Sequence, residues 1–369
     1  MKCILHFMGM TSTKLGGVEK FMLGLIDRFP DDRFVLVYDS VPFSKQYCED
    51  LKARGVIVEI CSFSSSNLIK HIYEYHRVIR KYRPTIVHFH FSPTHFLGAM
   101  IAKLYRVNKI YKTQHSCITD LDGNQVHSFS ALSLKQKLLS LFGYANRFYD
   151  KFLFVSDYAL KQYSDIYGIS NRYERVYLGI HPAVISDKIS RNDLSINEGE
   201  TVLSTIVFAN PIKGVDVLIK SLSLVENCIL ILIGLDNSGY TDYLRKLADD
   251  YSVSARIRWI GITDKPLEYL HLSDIYIQPS RTEALSLAAC EALSLGIPVV
   301  GSNVGGLPEV SSLLFETGNY VDLSVVLQGL IHDSNLYQRL RHEALDKFNT
   351  LFDIQNGIAT YASLYESYS

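Results

Sequence analysis

Long apolar runs are missing from this chain of 369 residues. No stretch approaches the roughly 18 consecutive apolar residues that a membrane-spanning helix requires, so no spanning segment is expected. The opening Met1-Lys2-Cys3-Ile4-Leu5-His6-Phe7 runs straight into a strand-like pattern, without the apolar stretch and small-residue cleavage site of a signal peptide. Cysteine is sparse: Cys3, Cys48, Cys61, Cys117, Cys228 and Cys290 are scattered, and none belongs to a Cys-x-x-Cys pair. That spacing suggests neither a disulfide framework nor a zinc site, and it fits a reducing, cytoplasmic compartment. Dense Lys/Arg runs and basic–aromatic ladders are also absent, which argues against a nucleic-acid partner. There is no short-period repeat, no low-complexity tract and no Gly-x-Gly-x-x-Gly fingerprint.

What is present is the balance of a globular protein, 47% hydrophobic and 20% charged, in a chain long enough for two domains. The net charge of −1 hides an asymmetry: residues 1–180 hold 24 Lys+Arg against 15 Asp+Glu, leaving 13 against 23 for the remainder. A basic half suits an anionic partner such as a phospholipid surface or a lipid-diphosphate acceptor; ordinary solvated faces are the plainer reading.

Strand-like and helix-like segments alternate. Strands are expected at 2–7, 34–38, 56–60, 85–91, 109–114, 152–155 and 175–178, with helices at 18–29, 45–54, 95–105 and on the apolar spacing of Leu68, Ile72, Tyr75 and Ile79. Residues 116–150 break the rhythm with a loop and a helix near 135–142. The polar stretch 186–200 reads as a linker. The pattern then restarts with strands at 202–208, 229–233, 257–260, 275–278 and 299–301, helices at 215–224, 240–250 and 284–295, and two final helices from about 336 and 354. This predicts an α/β protein with two Rossmann-like domains facing a cleft: residues 1–180 plus about 353–369, and residues 181–352.

Four segments carry candidate chemistry. Pro279-Ser280-Arg281-Thr282-Glu283 follows a predicted strand, at the sheet edge where open α/β folds bind ligands. A helix starting at 284 would offer backbone N–H groups near Leu285, Ser286 and Leu287 to an anion. It would also carry Glu291 about 80° around from Glu283. Acids near a helix start also serve simply to complement its dipole. Asn210-Pro211-Ile212-Lys213-Gly214 lies between a strand and a helix and can place the Lys213 charge at the helix mouth, although a lysine at such a turn is commonly just solvated. Gly16-Gly17, between the first strand and helix, admits a phosphate close to the backbone or is an ordinary turn. His115 ends a strand, whereas His88, His90 and His95 look like a metal cluster without an accompanying carboxylate, so a structural role is preferred and no metal is assigned.

The chain resembles glycosyltransferase family 4, the retaining GT-B enzymes with an E-x7-E motif. Glu283 and Glu291 match the two glutamates, flanked by Pro279-Ser280, by Ala292-Leu293-Ser294-Leu295-Gly296-Ile297-Pro298-Val299-Val300 and by Gly305-Gly306-Leu307-Pro308-Glu309. Gly16-Gly17-Val18-Glu19, Gln114-His115-Ser116, Lys213-Gly214, Ser156-Asp157-Tyr158 and Tyr177-Leu178-Gly179-Ile180 match as well. The resemblance implies that Glu283 and His115 contact the donor sugar and that Glu291 holds the ribose hydroxyls. Amides near Leu285, Ser286 and Leu287, with Gly16 and Gly17, would border the diphosphate, and Lys213 would neutralise it. It further implies a final helix that packs back on the first domain. One position departs: the family has an arginine where this chain has Phe208, and either another donor such as Asn210 or Arg281 replaces it or leaving-group stabilisation is weaker.

The implied reaction moves a sugar, with retention, from a nucleoside-diphosphate sugar (a UDP-sugar is expected) to an acceptor hydroxyl. No cofactor and no metal bridging the diphosphate are expected. The acceptor is read as a lipid-linked glycan precursor of a cell-surface polysaccharide, met at the inner face of the membrane through residues 128–148, with Lys135, Lys137 and Arg147. Rival readings are a GT-B nucleotide-sugar epimerase or sugar-phosphate synthase, and a non-catalytic sugar-nucleotide-binding subunit.

Overall fold

The computed structural model describes residues 1–12, 15–61, 63, 67–91, 95–118, 147–186 and 189–367. The helix expected near 135–142 and most of the candidate membrane patch, residues 128–146, lie outside the described residues. The chain divides into two compact units, Met1–Gly179 with Ile354–Ser369, and Ile180–Asp353.

In the first unit β1 (Cys3–Phe7), β2 (Arg33–Tyr38), β3 (Ile57–Ile60), β4 (Ile86–Phe89), β5 (Lys109–Gln114), β6 (Lys151–Phe154) and β7 (Tyr173–Arg175) form a sheet ordered β3-β2-β1-β4-β5-β6-β7. Each neighbouring pair is parallel. Parallel strands covered on both faces read as unbroken apolar runs, as Phe34-Val35-Leu36-Val37-Tyr38 does, buried throughout. The last helix, Ile354–Glu366, returns to this unit: Gly357 lies so close to the chain that an added Cβ would be 2.2 Å from the Leu178 carbonyl oxygen. Only a hydrogen fits there, and the helix beds its Ile354, Ile358, Tyr361 and Tyr365 face down.

Helix Leu68–Tyr82 is capped by Asn67, whose Oδ1 accepts from the N–H groups of Ile69 and Lys70. It stops at Arg83, held at φ 46° before Pro84. Its buried face is His71, Tyr75, Val78, Ile79 and Tyr82, so Leu68 and Ile72 of the expected apolar stripe are turned outward. Strand β7 also ends earlier than expected, although Val176 N–H still reaches the Phe154 carbonyl at 2.8 Å.

In the second unit β8 (Thr201–Ile206), β9 (Cys228–Ile233), β10 (Ile257–Gly261), β11 (Ile275–Gln278), β12 (Val299–Ser302) and β13 (Leu313–Phe315) form a second parallel sheet, ordered β10-β9-β8-β11-β12-β13. Strand β13 and the helices Pro266–Leu270, Leu307–Val310 and Tyr320–His332 were not expected. Their runs are short or, in Tyr320–His332, only weakly amphipathic, so tertiary packing rather than periodicity decides them. The expected linker is packed, not free. Ile196 is buried with Ile229 and Ile231, and the Arg191 guanidinium donates to the Leu272 carbonyl and to Asp274 at 2.8 Å. Among the described residues no helix is long and apolar enough to cross a membrane.

Candidate donor and sugar sites

Strands β8 and β11 are hydrogen-bonded neighbours although two strands separate them in sequence, so the order of the second sheet reverses between them. At such a switch point the loops leaving the carboxyl ends diverge and leave a crevice for a ligand. The loop after β8 carries Lys213 and the loop after β11 carries Glu283. Lys213 Nζ donates to Glu283 Oε2 at 2.8 Å, and each side chain is only 15% exposed.

Two glycines set that distance. Pro211-Ile212-Lys213 is a single tight turn, capped by Asn210 Oδ1, which accepts from Ile212 N–H at 2.9 Å. It ends on Gly214 at φ +67°, where a Cβ would lie 1.9 Å from the Pro279 carbonyl oxygen. Gly305, at φ +59°, approaches the other loop as closely: its Cβ would lie 1.8 Å from the Glu283 carbonyl oxygen, which accepts from Gly306 N–H at 3.0 Å. Both contacts are to backbone, which cannot swing aside. Any other residue would push the Lys213 and Glu283 loops apart.

Behind Glu283 runs a buried polar chain. Tyr276 OH donates to Gln278 Oε1 at 2.7 Å, Gln278 Nε2 donates to Ser280 Oγ at 2.9 Å, and Ser286 Oγ donates to Gln278 Oε1 at 2.9 Å. Ser286 Oγ in turn accepts from Ala289 N–H at 3.2 Å and so caps helix Leu287–Ser294. The helix begins at Leu287 and not at 284, because Ser286 is its cap, so Glu283 is in the preceding turn. The angle of about 80° between Glu283 and Glu291, which assumed one continuous helix, does not apply. The N–H groups of Leu285, Ser286 and Leu287 nonetheless have no acceptor among the described residues. Glu291 is half-buried within the helix. Burial, with Glu291 and Glu283 among its charged neighbours, pushes the Tyr276 hydroxyl far up its titration range.

Phe208 is 57% exposed, and Lys213 Nζ lies 5.0 Å from its ring centroid. Of the candidate replacements for the family arginine, Arg281 is committed, making two bonds to Asp216, at 2.8 and 2.7 Å, and another to the Pro211 carbonyl, while Asn210 uses its Oδ1 as a cap and its amide N–H₂ has no partner among the described residues.

In the first unit Gly16 precedes helix Gly17–Asp27, but its N–H is taken by Glu19 Oε2 at 3.1 Å, Glu19 being held in turn by Ser12. His115 follows β5. Its Nε2 faces His90 Nδ1 at 3.0 Å, and its ring stacks on Phe91 with centroids 4.1 Å apart. Its Nδ1 has no partner among the described residues. His6, paired in register with His88 across β1 and β4, joins the group: His6 Nδ1 is 2.9 Å from His90 Nε2, and His6, His88 and His90 stack within 13–19° of parallel. Burial holds all these rings neutral, pressing His6 and His88 well below their ordinary range, His90 to about 3, and His115 down with help from His90 and Lys112. One ring nitrogen from each of His6, His88 and His90 lies within 4.8 Å of the others, yet every ring nitrogen of the three already has a hydrogen-bond partner. His95 is separate, bonded to Tyr75 OH at 2.8 Å in the aromatic core.

Two family models cover almost all of the chain. Residues 15–184 match Glycosyltransferase Family 4, and residues 186–347 match Glycosyl transferases group 1. The chain is a family 4-like glycosyltransferase. The glycosyltransferase is 22% identical over 291 residues to N-acetyl-alpha-D-glucosaminyl L-malate synthase of Bacillus anthracis, covering 76% of this chain and 74% of that one. It is 28% identical over 211 residues to a GDP-mannose-dependent monoacylated alpha-(1-6)-phosphatidylinositol monomannoside mannosyltransferase of Corynebacterium glutamicum, covering 50% of this chain and 53% of that one. Among solved structures it matches Anabaena Alr3699/HepE in complex with UDP, with a TM-score of 0.82 over 100% of both chains at 17% identity, which establishes the shared GT-B fold.

Sequence reasoning on this glycosyltransferase missed His6, Thr113, Tyr361 and Tyr365, whose proximity to His90 depends on strand register and on where the last helix docks. It also missed Gln278. The available signal was the alternation of Gln278, Ser280 and Ser302 with apolar residues at strand ends, which marks buried polar groups in need of partners.

Proposed function

We propose that this glycosyltransferase transfers a sugar with retention from a UDP-sugar to a hydroxyl of a lipid-linked glycan precursor of a cell-surface polysaccharide. The observation that carries the donor assignment is the Lys213–Glu283 pair at the switch point, held at 2.8 Å by two glycine-to-backbone contacts. In this reading Lys213 and the N–H groups of Leu285, Ser286 and Leu287, with Gly16 and Gly17, border the diphosphate. Glu283 and His115 hold the sugar, Glu291 holds the ribose hydroxyls, and Asn210 keeps the Lys213 turn in shape.

Breaking the anomeric C–O bond leaves negative charge on the departing diphosphate, and prearranged cations and amides stabilise that charge as it develops. The acceptor oxygen bonds to the anomeric carbon on the face the diphosphate leaves, and its proton passes to a phosphate oxygen. No metal enters this scheme, so chelator leaves turnover unchanged. The acceptor class draws on the basic first unit and on the exposed Ile69, Tyr73 and Leu104 of two helices joined by the Tyr105–His76 hydrogen bond, an apolar and basic face suited to the cytoplasmic side of a membrane.

The test is a metal-free panel of UDP-, GDP-, ADP- and dTDP-sugars, scored for binding and for sugar release, on wild type and on Glu291→Ala. One nucleotide sugar bound and slowly hydrolysed, with affinity lowered roughly 10–100-fold in the variant, is expected from the loss of hydrogen bonds to a charged group. Failure of every nucleotide sugar to bind folded protein refutes the donor assignment. Phe208 favours a second reading, a non-catalytic sugar-nucleotide-binding subunit, which the same panel identifies as binding without turnover. An epimerase would leave an altered sugar attached to UDP or released from it.

A further inference from the structure

A continuous line of hydrogen bonds crosses the first unit. It runs from Tyr361 OH to Thr113 Oγ1 (2.7 Å), then from Thr113 to His88 Nε2 (2.8 Å) and from His88 Nδ1 to Tyr365 OH (2.6 Å). From Tyr365 OH it passes to His6 Nε2 (3.4 Å), from His6 Nδ1 to His90 Nε2 (2.9 Å), and from His90 Nδ1 to His115 Nε2 (3.0 Å). We propose that this line has a single polarity, from Tyr361 to His115, and that it fixes His115 as the Nδ1–H tautomer, a hydrogen-bond donor toward its ligand.

A neutral imidazole has one N–H and one lone pair, so each ring that accepts at one nitrogen must donate at the other. The direction chosen at one end is therefore passed along the whole line, because Tyr365, the hydroxyl between two rings, could accept from both only by stranding its own fully buried hydrogen. At the inner end Tyr361 is fully buried, and its hydroxyl has no partner other than Thr113 among the described residues. If Tyr361 donates to Thr113, Thr113 donates to His88, His88 Nδ1–H to Tyr365, Tyr365 to His6 Nε2, His6 Nδ1–H to His90, and His90 Nδ1–H to His115. Every hydrogen then has an acceptor, and His115 is left with its own hydrogen on Nδ1.

The reverse direction puts a hydrogen on His88 Nε2, pointing at Thr113. Either the Thr113 hydroxyl or that of Tyr361 is then left without an acceptor in a fully buried place. A stranded buried donor biases the equilibrium against that arrangement by roughly tenfold or more. Burial, which keeps His6, His88 and His90 neutral, removes the third possibility of an imidazolium in the line.

Thr113 sits in β5, but Tyr361 and Tyr365 belong to the last helix, Ile354–Glu366. The C-terminal segment of the chain thus positions the hydrogen of a residue that follows β5, while the Phe91 stack holds the His115 ring in its plane. His6, His88, His90, Thr113, Tyr361 and Tyr365 are positioning residues. Under the transferase reading, on which this clause rests, His115 donates to an oxygen of the sugar and does not serve as a base toward the acceptor.

The experiment is two-bond proton–nitrogen correlation NMR on the full chain labelled with 15N-histidine, without nucleotide, ring signals being assigned by single replacements. His6, His88, His90 and His115 are all expected as Nδ1–H. Thr113→Val, close to threonine in shape, removes the hydroxyl that orients His88, so an Nε2–H fraction should emerge in all four rings together. An Nε2–H or imidazolium signal from any of the four in wild type overturns the proposal. So does a change confined to His88, or no change at all, in the variant. The wild-type spectrum decides even if the variant does not fold. Nδ1–H at all four, combined with failure of the nucleotide-sugar panel, upholds the polarity and removes only its assignment to a sugar.

Discussion

Replacing Gly305 by alanine tests whether the donor loop is set by backbone contact. A left-handed backbone costs an ordinary residue roughly 1–2 kcal/mol. At Gly305 the new methyl group would also fall 1.8 Å from the Glu283 carbonyl oxygen and 2.9 Å from its carbon, so one loop must yield. Overpacking of this kind costs about 1–3 kcal/mol, and loss of the Gly306-to-Glu283 hydrogen bond about 1 kcal/mol more. The expected total is about 3–6 kcal/mol. Gly318, in the same unit, provides the control: it is equally left-handed, at φ +82°, but a Cβ there meets nothing within 4 Å. Gly318→Ala should therefore cost only about 1–2 kcal/mol. Any gain from a stiffer unfolded chain is common to both and cancels in the difference. The single tryptophan, Trp259, lies in β10 of this unit, so urea unfolding followed by its fluorescence reports the right unit. If Gly305→Ala is no more destabilising than Gly318→Ala, the loop is not held by that contact, and the account of the Lys213–Glu283 geometry fails.

Three further outcomes are expected. Lys213→Met should lower turnover of the bound nucleotide sugar by about 10²–10³-fold, the usual effect of removing one group that stabilises developing charge, measured by single-turnover sugar release. An unchanged rate would place the leaving-group cation elsewhere. The first unit should lose stability as pH falls below about 6.5, because the unfolded chain then binds protons that buried His6, His88, His90 and His95 refuse, His90 until about pH 3. Acid unfolding by circular dichroism should become shallower in His95→Phe, and an identical profile would contradict neutral burial of that ring. Glu59, desolvated but held lower by Lys81, Tyr82 and Arg77, has its carboxyl drawn down to about 2. Its contribution is complete above about pH 4.5 and lost between there and pH 2, so Glu59→Gln should cost about 1–2 kcal/mol at pH 7 after allowance for solvent screening, and little at pH 2. Equal losses at both pH values would refute it.

By itself the sequence determined the alternation of elements, since parallel strands buried on both faces must read as apolar runs such as Cys228-Ile229-Leu230-Ile231-Leu232-Ile233, and periodicity is a local property. It also placed Lys213-Gly214 and Glu283 on the segments that follow two strands, and the structure pairs the two charges there at 2.8 Å. Element ends were less legible. The start of helix Leu287–Ser294 depends on Ser286, which is fixed by Gln278 from a neighbouring strand as well as by its own helix. Only the tertiary structure decided what long-range contact decides. Whether Gly305 is a turn or a lock depends on Glu283 lying 1.8 Å from its missing Cβ. Whether Arg281 replaces an absent arginine depends on Asp216 having already engaged it. And whether His6, His88 and His90 are three separate core histidines or one directed line depends on strand register and on two tyrosines more than 240 residues from the strands they join. Hydrogen bonds are satisfied in space, so a pattern along the chain can announce a buried polar group but cannot name its partner.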